Sequence, residues 1–365
     1  MQGQKKHGFW AKKSRRRAVG ILLFILLNAI VITITAVSEF GNSQSAAELT
    51  EVKLNWWMLI PAAMCFVAAI SFEILKYILM IRKLAVTDEL TTKETELARQ
   101  KAPKVARRTV LLGKYYDNIT PAAIGGQPFQ IYYMRHHSGL GNGASTSIPI
   151  VGMITNQIGF LIIAILCFAF SSITWKNPAL IVTAWIGLLF YAFWPVMIAG
   201  VSFFPQATTK FLKFWVKVLA KIRIIKNREV VLEKIEHEMD EYAKSVKMIL
   251  KTKGLFARVT ILSVLFNALI IAIPFFVLTA FGGNIDFMEC FALTVAVMSA
   301  VYFIPTPGNS GAAEGTFFLV FSALSSGYVF WAMLVWRFFS YYIYIIIGPI
   351  IYFLIHLEKK RGGMD

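Results

Sequence analysis

The sequence predicts an all-α polytopic membrane protein with six to eight transmembrane helices and two re-entrant broken-helix hairpins in an inverted repeat. Of its 365 residues, 57% are hydrophobic and only 16% are charged, which is not the balance of a soluble domain. The lysines and arginines fall between the apolar runs, as the positive-inside rule of membrane proteins requires. The pattern T-P-x-x-x-G occurs at 120–125 and again at 306–311, and each copy interrupts an apolar region.

The charge and the cysteines exclude several classes of protein. The formal net charge of +17 would suit nucleic-acid binding, but the alternation of basic loops and apolar runs indicates a membrane instead, so we expect no nucleic-acid partner. The three cysteines each lie within an apolar run and form no CxxC pair. Neither a disulfide framework nor a zinc site is therefore predicted. We expect no metal and no cofactor.

The first half of the chain predicts four spans. Residues 1–17 are basic and are expected in the cytoplasm, followed by a retained first helix at 18–38. A second span at 56–81 begins with an interfacial pair, Trp56 and Trp57. Residues 82–114 hold nine Lys/Arg against four Asp/Glu and read as cytoplasmic. The first T-P-x-x-x-G region, 115–137, is too short and too polar for a span and predicts a hairpin entering from the cytoplasm, before spans at 147–172 and 179–203.

The second half begins with a long amphipathic segment, 204–257, which is predicted to lie on the cytoplasmic surface. A fifth span at 258–280 ends outside. Residues 287–325 contain the second break, and 315–357 are apolar almost throughout. Because the fifth span ends outside and the basic tail is expected inside, residues 287–357 must cross the membrane an odd number of times. One crossing plus a re-entrant hairpin from the outside gives six spans in total, and three crossings give eight. Either count places the basic tail 358–365 in the cytoplasm with the N-terminus, and makes 18–357 a single transmembrane domain.

The two breaks are predicted to form a transport site. Proline removes a backbone donor and glycine relaxes the chain, so each pattern should break a helix. Within a bilayer, broken helix survives only where protein or a water-filled cavity satisfies the freed backbone groups. The first break is approached from the inside and the second from the outside, and this opposition indicates an inverted repeat with a site between its halves.

The candidate substrate-binding residues belong to these two breaks and their flanks. The first set comprises Thr120, Pro121, Gly125, Gly126, Gln127, Gln130 and Arg135, with Asn118 beside it. The second set comprises Thr306, Pro307, Gly308, Asn309, Gly311, Glu314 and Arg337, with Ser310 and Thr316 beside it.

Each candidate has a functional and a structural interpretation. A carboxylate at membrane depth, such as Glu314, would contact a cationic headgroup or take part in proton coupling, or else form an ion pair with Arg337. A basic residue beside a break, such as Arg135, would hold a lipid phosphate or act as a cytoplasmic anchor. The neutral polar side chains would contact a ligand, cap the broken helices, or do both.

Other polar residues in the spans predict structure rather than function. Glu73 and Lys76 lie on one helix face and are expected to pair, unless Lys76 snorkels toward the cytoplasm. Asn156 and Asn267 are expected to hydrogen-bond between helices. The aromatic run 338–344 is expected to face lipid or an acyl groove. Signatures of ATP-driven pumps and common hydrolases are absent from the sequence, and we expect no enzymatic activity.

The segments ITPAAIGGQPF at 119–129 and PTPGNSGAAEG at 305–315 resemble the two signature regions of the lysylphosphatidylglycerol synthase transmembrane-region family. That family includes the flippase half of the multiple peptide resistance factor and many stand-alone proteins. The resemblance covers about 18–357 and implies a lipid-translocating domain. Two-domain relatives carry a C-terminal aminoacyltransferase, and since this sequence ends at Asp365, we expect that half to be absent and do not carry lysyl-lipid synthesis over.

These inferences together predict a flippase of the bacterial inner membrane that moves an anionic phospholipid, an aminoacyl lipid or a glycolipid. The alternative is a non-transporting scaffold or regulatory partner of a lipid-modifying enzyme. The sequence is also compatible with a homodimer. The discriminating feature is whether Glu314 and Gln127 line one water-accessible cavity, which transport requires, or are sealed in dry packing.

Overall fold

The computed structural model describes residues 54–87, 90–120, 125–170, 252–301, 304, 306–322 and 328–361, together with isolated residues between 182 and 250. Several predicted segments fall wholly or mostly outside these residues: 1–17, the spans 18–38 and 179–203, the amphipathic segment 204–257, Pro121, and most of the tail 358–365.

The described chain is helical. A 3-10 turn at Trp56–Met58 precedes the first helix, and a π-helix at Phe338–Tyr342 separates the last two. The α-helices are α1 (Leu59–Thr87), α2 (Thr92–Ile119), α3 (Gly126–His137), α4 (Asn142–Phe170), α5 (Lys253–Ala280), α6 (Phe287–Val301), α7 (Ala312–Ser322), α8 (Val329–Arg337) and α9 (Ile343–Arg361). The predicted all-α polytopic class is confirmed.

Among the described residues, four stretches are long and apolar enough to cross a bilayer: Trp56–Val86, Asn142–Ala169, Gly254–Ala280 and Val329–Glu358. The first three correspond to the predicted spans 56–81, 147–172 and 258–280, and the fourth lies within the apolar region 315–357. By contrast, α6 and α7 have only 15 and 11 residues. Both are shorter than the roughly 20 residues that a crossing needs.

The apolar helix α5 lies at the centre of the described bundle. It packs against α1, α4, α6 and α8. A helix that is apolar on every side is stable only when neighbours or lipid cover every side, and α5 shows no strong polar face.

The helix α2 begins much earlier than the predicted hairpin boundary at 115. Its start is a capping box, in which Glu94 N–H donates to Thr91 Oγ1 at 3.4 Å and Thr91 N–H donates to Glu94 Oε2 at 3.0 Å. Small apolar residues then recur on one face, where Ala98, Ala102 and Val105 are buried. This face packs against α1, so a segment rich in charge still forms part of the core.

Helices α2 and α3 form an antiparallel hairpin, here called hairpin one, that opens at one end of the bundle. At its start, Thr95 Oγ1 donates to the carbonyl of Ala85 at the end of α1, at 3.0 Å. At its finish, a Cβ on Gly139 would lie 3.9 Å from the side chain of Ala98. Both arms of hairpin one therefore open at the same end, which we call the Thr92 end.

Helices α6 and α7 form hairpin two, which opens at the opposite end. The N–H of Asn55, just before α1, donates to Ala280 at the end of α5 at 2.9 Å. The N–H of Tyr328, just before α8, donates to Phe281 at 3.2 Å. The chain thus leaves α5, runs through hairpin two and returns to the same end. The α8–α9 stretch then runs toward the Thr92 end, and Glu358 contacts Arg108 near the middle of α2 at 2.6 Å.

This course is that of a re-entrant hairpin followed by one crossing. Together with the predicted spans at 18–38 and 179–203, the four described stretches correspond to the six-span alternative. The two hairpins open in opposite directions, as an inverted repeat predicts.

Candidate functional site

The tips of the two hairpins touch each other. Asn118, in the last turn of α2, donates from Nδ2 to the carbonyl oxygen of Tyr341 at 3.4 Å. A Cβ on Gly308 would lie 3.2 Å from the carbonyl oxygen of Asn118 and would overlap the Tyr341 ring. The first break, the second break and the π-helix therefore meet at one place, which we call the junction.

The second break is a tight turn that depends on backbone conformations rarely adopted by most side chains. Gly308, Asn309 and Gly311 have φ angles of 57°, 56° and 88°. The turn is closed by the N–H of Asn309 donating to Thr306 and that of Ser310 donating to Pro307, each at 3.1 Å. Because Gly308 also has no room for a Cβ, the glycine at this position is required both for conformation and for the junction.

Glu314 and Arg337 form a buried ion pair directly behind this turn. Arg337 Nε donates to Glu314 Oε1 at 2.7 Å, and Glu314 is only 2% exposed. The second carboxylate oxygen accepts the N–H of Gly311 at 2.7 Å, so Glu314 caps its own helix, α7. Arg337 also donates to Gly308 O at 3.2 Å and to Ser310 Oγ at 3.4 Å. The pairing that the sequence suggested is present, and it fixes the turn.

The π-helix brings an aromatic ring onto this pair. The Arg337 guanidinium lies 4.5 Å from the Tyr341 ring centre, within the range of a cation–π interaction. Tyr341 and Tyr344 are buried, whereas Phe338 is 43% exposed. The aromatic run therefore divides between a site-facing part and an outward-facing part, where the sequence suggested only a lipid or groove contact.

Four buried polar atoms near the ion pair have no hydrogen-bond partner in the described structure. They are Thr306 Oγ1, Asn309 Oδ1, Trp336 Nε1 and Ser340 Oγ. An unsatisfied buried polar atom costs about 1–3 kcal/mol, so such groups are few in folded proteins and concentrate at functional places. Together these atoms offer hydroxyl, amide and indole groups for hydrogen bonds with a polar ligand.

The first break is capped in the same manner as the second. Asp117 Oδ1 accepts the N–H of Gly126 at 2.9 Å, and Thr120 Oγ1 accepts the N–H of Gly125 at 2.9 Å. Asp117 belongs to α2, which is not one of the four stretches that could cross the membrane. Burial raises the pKa of Asp117 to about 6, against the opposing effects of the nearby Lys114 charge and the Gly126 N–H. The amide at the start of α3, which the sequence offered to an anionic ligand, thus bonds to an internal carboxylate.

The remaining first-break candidates occupy different surroundings. Gln130 is buried and accepts a hydrogen bond from Tyr77 Oη at 3.0 Å. Gln127 is half-buried, so it does not share the sealed packing of Glu314. Arg135 donates from Nη2 to Thr146 Oγ1 at 2.9 Å and lies nine residues along α3 from Gly126, about 13 Å along the helix axis. Arg135 is therefore not part of the junction.

A second polar group, the Lys76 cluster, ties α1, α4 and α5 together. Lys76 is completely buried and bonds to Glu73 at 2.8 Å, Asn156 Oδ1 at 2.8 Å, Gly152 O at 3.1 Å and Ser263 Oγ at 3.2 Å. Asn156 Nδ2 donates in turn to Glu73 Oε1 at 2.9 Å. The predicted pairing of Glu73 with Lys76 is confirmed, and Lys76 does not snorkel.

The predicted interhelical role of Asn156 and Asn267 is confirmed as well, because Asn267 Nδ2 donates to the carbonyl of Asn156 at 3.1 Å.

Five residues at or beside the junction were not among the site candidates predicted from the sequence: Asp117, Lys114, Trp336, Ser340 and Tyr341. For Asp117 the available signal was its position three residues before the Thr-Pro break, where a carboxylate can reach the next helix start.

Comparison with known proteins gives one distant relative and one family. A "UPF0104 membrane protein" of Methanothermobacter thermautotrophicus is 23% identical over 220 residues, which is 58% of this chain and 63% of the relative. The match thus spans less than two thirds of that relative's length. No solved structure matches the chain.

The family profile described as "Lysylphosphatidylglycerol synthase TM region" matches residues 17–348. The match includes both breaks, the junction, Glu314 and Arg337, and it agrees with the multi-pass helical structure. This multi-pass membrane protein therefore belongs to the lysylphosphatidylglycerol synthase transmembrane-region family.

Proposed function

We propose that the protein moves a lipid headgroup across the bacterial inner membrane, with both of its termini in the cytoplasm. The observation that carries the proposal is the junction, where two hairpins that open toward opposite ends of the bundle meet through Asn118, Gly308 and Tyr341. A site reached from either side by broken helices is the arrangement that alternating access needs. The membership of a family named for a lipid-related membrane region supports lipid as the cargo.

In this proposal the second break provides most of the headgroup contacts. Thr306 and Asn309 offer buried oxygens that have no partner, and Trp336 and Ser340 offer further groups beside Arg337. The Glu314–Arg337 pair would open to exchange one of its bonds for the headgroup. The acyl chains would stay in the surrounding lipid. No covalent step is part of the proposal.

The test is translocation in proteoliposomes. Purified protein is reconstituted with acyl-labelled phosphatidylglycerol or diglucosyldiacylglycerol, and outer-leaflet label is bleached with a membrane-impermeant reductant. The wild type should expose more label than protein-free vesicles under at least one imposed ion gradient. Glu314→Gln should slow translocation by about tenfold, since a charge-assisted hydrogen bond is lost. Lys104→Gln, on an exposed part of α2, is the matched control.

A wild type that moves neither lipid under any gradient would count against the proposal. Equal rates in Glu314→Gln and the wild type would remove Glu314 from the mechanism and leave its ion pair as structure only.

One observation favours the non-transporting scaffold as a second candidate. Glu314 is sealed and fully paired in the described structure rather than open to a cavity shared with Gln127. A scaffold would bind a lipid-modifying enzyme, or a second copy of itself, without needing the pair to open. A crosslink that locks the junction closed, between cysteines at 118 and 341, separates the two candidates, because these positions contact each other through Asn118 Nδ2 and the Tyr341 carbonyl. It should stop transport but leave partner binding unchanged.

A further inference from the structure

Lys114 is a half-buried cation beside the junction that has no anionic partner within ion-pair distance in the described part of the chain. Its Nζ lies 5.3 Å from the ring centre of Phe266, which is its cation–π contact on α5. Two buried cations of the described residues, Lys76 and Arg337, each make several contacts. Lys76 bonds to oxygens of three helices, and Arg337 bonds to Glu314, Gly308 and Ser310.

The two breaks carry the same three kinds of group, but in different states. Each has a helix-start N–H, a carboxylate that accepts from it, and a cation nearby: Gly311, Glu314 and Arg337 at the second break, and Gly126, Asp117 and Lys114 at the first. At the second break the cation is held by the carboxylate at 2.7 Å. At the first break, within the described residues, the carboxylate accepts a hydrogen bond from the Gly126 N–H, and Lys114 forms no ion pair.

Position places Lys114 within reach of the junction. Lys114 and Asn118 are four residues apart on α2, so their side chains share one face of the helix and are separated by about 6 Å along its axis. Asn118 touches the second break directly. A headgroup whose hydroxyls bond to the unpartnered atoms of the second break would therefore have its phosphate near Lys114.

We infer that Lys114 binds the phosphate diester of the transported lipid, which makes phospholipids rather than neutral glycolipids the substrate class. The inference rests on the proposed function, because it names the substrate of that same site. A lysine ammonium is a compact point charge that binds phosphate well in proteins. A half-buried cation that forms no ion pair with the described residues loses part of its hydration, and a phosphate of opposite charge offsets this loss.

The first experiment measures lipid retention by native mass spectrometry. Wild type, Lys114→Gln, Lys114→Arg and Lys101→Gln are equilibrated with equimolar phosphatidylglycerol and diglucosyldiacylglycerol in mixed micelles. Lys101 lies on α2 but is exposed, so its variant makes the same charge change away from the site. Lys114→Gln should reduce bound phosphatidylglycerol by about tenfold and leave the glycolipid within about twofold. Lys114→Arg and Lys101→Gln should retain both lipids.

Unchanged phosphatidylglycerol binding in Lys114→Gln would overturn the inference. So would a parallel loss of both lipids, because a phosphate contact is selective by charge.

The second experiment uses the unaltered protein and therefore does not depend on a variant folding. Lysines are acetylated with a water-soluble reagent, and the modification of Lys114 is measured relative to Lys101 by peptide mass spectrometry. Added phosphatidylglycerol should protect Lys114 by about fivefold or more, as expected for a charged hydrogen-bonded contact. Diglucosyldiacylglycerol should not protect it. Equal protection by inorganic phosphate alone would assign the site to a free anion and overturn the lipid form.

The two proposals fail in different ways. If phosphatidylglycerol protects Lys114 but no lipid is moved in proteoliposomes, the inference stands and transport fails. If the wild type moves lipids at rates that Lys114→Gln does not alter, transport stands and the inference fails.

Discussion

At the residue scale, Glu314 and Arg337 depend on each other because neither has another charged partner among the described residues. Removing one member of a buried ion pair costs ~3–5 kcal/mol, since the other charge remains buried and unpaired. We expect Glu314→Gln and Arg337→Met each to lower the free energy of unfolding by about that amount. The double variant should lose clearly less than the sum, because no unpaired charge is left.

Thermal unfolding in detergent measures this cycle. The exposed pair of Lys104 and Glu358, whose side chains are 52% and 48% exposed, is the control, and Lys104→Gln should change stability by less than ~1 kcal/mol. Strict additivity of the two single effects would show that the charges do not interact.

Asp117 gives a prediction about pH. Its pKa is raised from the ordinary 3.8 to about 6, mainly by burial, so the folded protein binds the proton more tightly than the unfolded chain does. This contribution to stability is fully present below about pH 4 and is lost as the pH rises through 6. The wild type should therefore gain stability between pH 7.5 and pH 5 relative to Asp117→Asn, which cannot titrate. Comparing the two proteins cancels the contribution of every group that they share. Parallel curves for the two proteins would contradict the prediction.

Individual residues could be predicted from the sequence where a charged side chain lies within an apolar run. Glu314 and Arg337 stand out because each lies in an apolar run, and their pairing follows from the cost of isolated charge. Lys114 and Asp117 could not be distinguished from the charged segment 82–114, which the sequence predicts to be cytoplasmic. Their importance comes from the length of α2, which carries them to the junction, and that length depends on packing against α1.

At the element scale, hairpin two depends on one glycine. Ala at position 308 would have to adopt a φ of 57° and would overlap the Tyr341 ring, so Gly308→Ala should cost at least ~1–2 kcal/mol and separate the hairpin tips. Gly315 is the matched control in the same motif, because a Cβ there meets nothing within 4 Å. Gly315→Ala should be neutral or stabilising by up to ~1 kcal/mol, since alanine favours the helix.

Detergent unfolding gives the two energies. Crosslinking of cysteines placed at 118 and 341 reports whether the hairpin tips stay together, and it should fail in the Gly308→Ala background and persist in the Gly315→Ala background. Equal effects of the two alanine substitutions would mean that the turn tolerates side chains.

Element prediction was most successful for long apolar helices, because length and hydropathy alone decide whether a helix can cross a bilayer. The breaks were also located correctly, since proline and glycine act locally. The π-helix at Phe338–Tyr342 had no sequence signal. It contains Tyr341, which lies four residues after Arg337 and whose ring centre is 4.5 Å from the guanidinium.

At the scale of the whole molecule, the opposed hairpins predict the sidedness of the loops. With the native cysteines replaced, single cysteines are placed at His137, at the Thr92 end, and at Asn284, at the opposite end; both residues are exposed. An impermeant maleimide applied to intact cells should label position 284 and should label 137 only after permeabilisation. Labelling of both positions from the same side would refute the arrangement.

The Lys76 cluster has a consequence for how such a molecule can move. Its ammonium bonds to oxygens on α1, α4 and α5, two of which precede the long polar segment and one of which follows it. Pulling these helices apart would strand a charge with no water to receive it. A simple rocking of the first half of the chain against the second is therefore opposed by the protein's own chemistry. In the proposed transport, α1, α4 and α5 therefore stay together as one rigid unit, and the two hairpins open and close against it.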